Sequence, residues 1–94
     1  MAVTTLQVTQ TGSAKQVAPL GTYARWIKFV NLAAAQMTVG DVNVSATRGD
    51  PLVSSTGVAL YPALADVSNH YDLGQWWTIG TNTQLLTVVY DSMT

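Results

Sequence analysis

Between Trp76 and Tyr90 the chain sets large apolar residues side by side: Trp76-Trp77, Leu85-Leu86 and Val88-Val89. The runs that carry them, Trp76 to Ile79 and Leu85 to Tyr90, are rich in aromatic and β-branched residues. They flank five turn-forming residues, Gly80-Thr81-Asn82-Thr83-Gln84. That pattern predicts a β-hairpin. Neighbours along a strand point to opposite faces, so one core covers only one member of each pair. The other is left to a second layer, a partner chain or a ligand. Trp76 and Trp77 are not told apart by this argument.

The length sharpens the problem. Ninety-four residues make a single domain, 1–94, in which residues 1–22 read either as an N-terminal arm or as edge strands. A chain of this size buries roughly 60–65% of the surface its unfolded form exposes, and small domains often lean on oligomerisation. There is no cysteine, so neither disulfides nor thiolate-bound metal can help. Charged residues are 10% of the chain, against about 25% in ordinary soluble domains. Thr, Ser, Asn and Gln take their place and glutamate is absent. An uncharged polar surface is cheap to desolvate, which suits burial against neighbours. With a net charge of -1 there is no electrostatic basis for general nucleic-acid binding. No apolar run is long enough for a membrane span. The first residues lack the basic and apolar regions of a secretory signal.

Alternation marks further strands. Val3 to Thr11 carries Leu6 and Val8 on one face, and Lys15-Gln16-Val17 reads as a short return strand before the turn at Pro19-Leu20-Gly21. Tyr23 to Leu32 is strongly strand-like, with Ala24, Trp26, Lys28, Val30 and Leu32 predicted on one face and Tyr23, Arg25, Ile27, Phe29 and Asn31 on the other. Met37-Thr38-Val39 is expected to pair with Val42-Asn43-Val44 through a tight Gly40-Asp41 link, or to run on as one strand with a glycine bulge. Residues 46–51 read as a loop, Leu52-Val53 as a short strand and Val58-Ala59-Leu60-Tyr61 as a strand stopped by Pro62. Residues 62–67 suit a helical turn. Seven to nine short strands with turns every eight to twelve residues, and no long helical period, predict an all-β fold: an antiparallel β-sandwich of jelly-roll type or a small β-barrel.

From Asn31 to Tyr90 the chain resembles small structural proteins of tailed-bacteriophage virions. The resemblance is carried by Val39-Gly40-Asp41, Gly49-Asp50-Pro51-Leu52, Tyr71-Asp72-Leu73, Ile79-Gly80-Thr81 and Val88-Val89-Tyr90, in that order. Asp50 stands where the pattern has an apolar residue, and Trp77 beside Trp76 makes this region more aromatic than the pattern. The resemblance implies an all-β virion component, a capsid decoration or cement protein on the capsid surface, whose partner is the major capsid protein or another virion protein.

Several short motifs carry residue types that could support chemistry. Arg48-Gly49-Asp50 spells an adhesion tripeptide, but Gly49 and Pro51 also make it a plain turn. Ser68-x-His70-x-Asp72, with Asp66 nearby, could orient an imidazole for base catalysis, yet no oxyanion site or activated nucleophile is signalled. A loop histidine beside a turn-closing aspartate is the simpler reading. Asp41, Asp66 and Asp72 could share calcium, but the dense alternating acid pattern of a calcium loop is missing. Tyr23, Trp26, Tyr61, Tyr71, Trp76, Trp77 and Tyr90 could form a sugar platform, or serve as core and subunit interface, where Trp and Tyr are enriched.

The expectation is therefore a non-enzymatic virion protein with no cofactor and no metal. It forms a homo-oligomer, a trimer being favoured over a dimer, and binds the capsid lattice to stabilise it. The alternative is a head-fibre or tail-tip module that binds a receptor or carbohydrate. Trp77, Tyr61, Tyr23 and Tyr90 are the expected oligomer or capsid interface. Trp26, Ile27, Val30, Ile79 and Val88 are the expected core.

Overall fold

The computed structural model describes residues 2–63 and 69–93. Its strands are β1 (Ala2–Thr9), β2 (Lys15–Gln16), β3 (Tyr23–Asn31), β4 (Met37–Gly40), β5 (Asp50–Leu52), β6 (Gly57–Tyr61), β7 (Tyr71–Asp72), β8 (Trp77–Ile79) and β9 (Leu85–Ser92). A 3-10 turn over Leu73–Gln75 joins β7 to β8. One sheet has the order β1-β9-β3-β6, with β7 added at the start of β3; the other has the order β2-β8-β4-β5. Every pairing is antiparallel. With the short β7 set aside, β1 pairs β9, β2 pairs β8, β3 pairs β6 and β4 pairs β5. These are the rungs of one long folded-over ribbon. The contacts β9 to β3 and β8 to β4 roll that ribbon into two sheets, which is the winding of an eight-stranded jelly roll.

The core lies between the sheets. Ile27, Phe29, Leu86 and Val88 from the first meet Met37, Val39 and Leu52 from the second, and all are fully buried. Each such side chain contributes on the order of 1.5–3 kcal/mol by leaving water. Val17 and Leu73, from outside the main strands, are buried in the same cluster.

The two runs between Trp76 and Tyr90 do not form the expected hairpin. β8 belongs to one sheet and β9 to the other, and residues 80–84 carry the chain across the sandwich. Their backbone binds the matching crossing at the end of β1. Gln10 N–H donates to Gln84 C=O at 2.8 Å, and Thr83 N–H donates to Gln10 C=O at 2.9 Å. Two crossings bonded side by side satisfy the groups that a hairpin ladder would have used.

The second expected hairpin is also absent. β4 pairs β5, with Val39 opposite Asp50, so residues 41–49 form the connection. The Asp41 carboxylate accepts from Asn43 N–H at 2.9 Å and its carbonyl accepts from Val44 N–H at 3.0 Å. This local turn captures the backbone that would have paired, and Val44 is buried beneath it. The loop returns against β4 at Gly49 (φ 131°), where a Cβ would lie 2.5 Å from the Val39 carbonyl oxygen. Asp50 and Pro51, expected in a loop, open β5 at the sheet edge.

Strand β3 departs from simple alternation. Ala24 lies opposite Ser92 and Ile27 opposite Tyr90, three steps on one strand against two on the other. This β-bulge turns both Ala24 and Ile27 inward. Trp26 and Val30 are half-buried and outside the core, contrary to expectation, because they flank the inward Ile27 and Phe29 on a sheet with one covered face. Ile79 is likewise half-buried: its neighbour Thr78 takes the inward place on β8. Residues 2–9 and 15–16 are edge strands of the sandwich. The helical turn expected within 62–67 falls largely, and Asp66 and Ser68 fall wholly, outside the described residues.

Two polar knots fasten the corners. Asn31, fully buried at the end of β3, donates to the carbonyls of Ala35 (2.8 Å), Leu52 (2.9 Å) and Val53 (3.2 Å), and accepts from Ala33 N–H at 2.9 Å. It ties the β3–β4 connection to the end of β5. Asp72 accepts from Gly21 N–H at 3.1 Å and from Gly74 N–H at 2.9 Å, so one carboxylate holds the 19–22 turn and caps the 3-10 turn.

Candidate functional site

The side chains singled out in the sequence fall into three places. The first is an open groove of about 510 Å³ at one end of the sandwich, where the 41–49 loop supplies Asp41, Arg48 and Gly49 and the approach to β8 supplies His70, Asp72 and Trp76. The Arg-Gly-Asp motif and the His-x-Asp motif, read separately in the sequence, thus share one wall. In each motif the aspartate has hydrogen-bond partners of its own, and Asp72 closes turns as the simpler reading of that motif expected. Asp50 is not part of the groove lining and accepts a hydrogen bond from the Tyr61 hydroxyl. Asp72 is committed to the backbone of Gly21 and Gly74. The His70 ring packs edge-on against Tyr23, with centroids 4.6 Å apart. Among the described residues no three of His, Cys, Asp or Glu gather as metal ligands.

The groove floor is aromatic. Trp76 packs against Tyr61 (4.5 Å between centroids), Phe29 (5.4 Å) and Tyr71 (6.5 Å). The Tyr71 hydroxyl donates to the Pro62 carbonyl at 2.9 Å. The pair left open by the sequence separates here. Trp76 turns onto the core cluster, while Trp77 lies opposite Gln16 and Gly40 on the outer side of its sheet. Tyr61 is half-buried within the aromatic cluster.

The second place is the outer side of the β2-β8-β4-β5 sheet. Trp77 shares a shallow hollow there with Leu20 and Val42, both exposed. The loop carrying Gly49 already covers part of this face, and Thr38 is buried under it.

The third place was missed in the sequence: the outer face of the β1-β9-β3-β6 sheet. The register aligns Leu60, Lys28, Val89 and Thr5 in one row across four strands, and Val58, Val30, Thr87 and Gln7 in the next. Val58 is 53% and Leu60 60% exposed. Lys28 is the only charge in the two rows. The signal was present in Val58-Ala59-Leu60-Tyr61, whose alternation puts an apolar residue on both faces.

Of the four expected interface residues, Trp77 and the 40%-exposed Tyr23 are on the surface, at separate places. Tyr90 is corrected: it is 8% exposed and belongs to the core cluster, because it follows Leu86 and Val88 on the inward face of β9. No helix among the described residues is long and apolar enough to cross a membrane. Set against protein-family models, curated proteins and solved structures, the chain matches none of them.

Proposed function

We propose that this chain is a non-enzymatic structural protein of a phage virion, a capsid decoration or cement protein that binds the major capsid protein or another virion protein and also associates with itself. The observation that carries the reading is the outer face of the β1-β9-β3-β6 sheet. It offers Val58, Leu60, Val30 and Val89 with one lysine among them, on a chain with few charges anywhere. Covering an exposed Val or Leu contributes up to about 1.5–3 kcal/mol, and symmetry repeats the gain at each copy. A part that binds only the assembled shell favours that shell over its dissociated or expanded forms by mass action.

The jelly roll supports this reading without deciding it, since one fold hosts many functions. Several motifs behind the virion resemblance sit at corners of the winding, with Gly40-Asp41 leaving β4, Asp72 as a cap and Gly80-Thr81 at a crossing, while Asp50-Pro51-Leu52 and Val88-Val89-Tyr90 lie within β5 and β9. They support a shared fold more directly than a shared docking face.

The test is co-sedimentation with emptied capsid shells lacking the protein. The reading expects saturable pelleting and shells that survive more heat or dilution. No pelleting at micromolar chain would sink it. A second reading is favoured by the groove. Trp76 and Tyr71 beside Asp41, Arg48 and Gln75 combine aromatic surface with hydrogen-bonding groups, as a receptor- or carbohydrate-binding appendage would need. Saturable quenching of Trp fluorescence by a saccharide, with no pelleting on shells, would select it.

A further inference from the structure

We infer that β1 is an edge built to pair with β1 of a second copy, joining two jelly rolls through one continuous antiparallel sheet across a two-fold axis. A sheet edge presents a row of unpaired backbone groups, and proteins that must stay apart guard such rows with charge, proline, bulges or short length. Three of the four edges here are guarded in that way. β5 has three residues and contains Asp50 and Pro51, and proline has no N–H to offer a partner strand. β2 has two residues and begins with Lys15. β6 has five residues and runs directly into Pro62.

β1 has none of these guards. It has eight residues, Ala2 to Thr9, with no charge and no proline. It keeps an unbroken register with β9 from Ala2 opposite Ser92 to Thr9 opposite Leu85. No strand among the described residues pairs with its other side. Its far end is pinned by the bonds of Gln10 to Gln84 and Thr83, so little freedom is lost when a partner docks. Leu6 points to the core yet stays half-buried, and Val3 is 67% exposed on the outer face.

The occupant follows from symmetry and charge. Antiparallel pairing of a strand with itself is two-fold, and residues directly opposite must share a face. Lys15 already donates to the Thr9 carbonyl at 3.1 Å, which withdraws the last residue. Ala2 to Val8 then pair in full when the axis passes through Thr5. Thr5 meets its own copy on the outer face, Val3 meets Gln7, and the inward Leu6 meets Thr4. The residues that pair, Ala2 to Val8, carry no charged side chain, so no like charges are placed opposite each other within the match. The inference does not depend on the virion reading: a dimer that ignores capsid shells would leave it standing and sink only that reading.

The test is sedimentation equilibrium of the intact chain, wild type and with Thr5→Lys or Thr5→Glu, each checked for unchanged strand content by circular dichroism. Wild type is expected at about twice the 10.0 kDa chain mass. Either variant alone places like charges opposite each other, and at low salt its dimer affinity is expected to fall about five- to tenfold. An equimolar mixture of the two should recover the dimer. A wild-type monomer, a trimer, or charge variants that dimerise as wild type would each overturn the inference.

Discussion

Gln10 and Thr78, 68 residues apart in sequence, share a 2.9 Å hydrogen bond in the buried interior, where Gln10 Nε2 donates to the threonine hydroxyl. The hydroxyl in turn donates a hydrogen bond to the Thr38 carbonyl at 3.0 Å. Gln10 Nε2 also lies 3.4 Å from Met37 Sδ, and its Oε1 is buried with no protein partner. This short relay fixes the crossing that leaves β1 against β8 and β4.

A double-mutant cycle should expose the relay. Thr78→Val leaves the Gln10 amide short of an acceptor and is expected to cost about 1–3 kcal/mol. Gln10→Leu with Thr78→Val removes both polar partners together and should cost less than the sum of the single changes. Urea midpoints at unchanged slope would measure it; strict additivity would show that the bond carries no coupling.

The two neighbouring tryptophans should behave differently. Trp76→Ala empties a site packed against Phe29 and Tyr61 and is expected to destabilise by about 3–5 kcal/mol. Trp77→Ala, on the outer side of β8, is expected to cost about 1 kcal/mol. Thermal denaturation of the two variants would report the difference, and equal losses would contradict the placement.

This distinction also marks how much the sequence could tell. The positions of β1, β3, β6 and β9 follow from alternation and punctuation, and the all-β class follows with them. Which strand pairs with which does not. Gly80 to Gln84 has the composition of a hairpin turn, but five such residues can equally cross about 10 Å between packed sheets. The choice rests on Gln10, far away in the chain. The bulge between Ala24 and Ile27 has no local sign, so alternation groups Ile27, Phe29 and Asn31 correctly but puts Ala24 on the wrong face. In β9 the doubled Leu85-Leu86 and Val88-Val89 hide which series, ending in Val89 or in Tyr90, turns inward. The groove was legible only as fragments, since residues 41–49 and 70–76 meet through the winding.

Two glycines should separate space from backbone freedom. A Cβ at Gly74 would lie 2.3 Å from Leu20 Cα, within a turn that Asp72 holds at Gly21. Gly74→Ala should therefore cost about 2–3 kcal/mol. Gly12 has φ 83° and nothing within 4 Å of an added Cβ, so Gly12→Ala should cost only about 1 kcal/mol for its left-handed backbone. Denaturant midpoints test the order, and a reversed order would refute the close approach.

Asn31→Ala should cost about 3 kcal/mol, measured in the same way, by unbinding the buried carbonyls of Ala35 and Leu52. The loss should be shared between the β3–β4 connection and the β5–β6 turn. Hydrogen exchange would show faster exchange at Ala33 and Ser55, whose N–H groups lie in this corner. Unchanged protection at both would contradict the role given to Asn31.

A particle reconstruction with the protein in place bears most directly on the claim that this jelly roll is an assembly part. The account expects density for the fold on the outside of the shell, with Val58, Leu60 and Val30 pressed against a neighbouring subunit. The same three residues facing open solvent, or a shell that carries no copy of the chain, would contradict it.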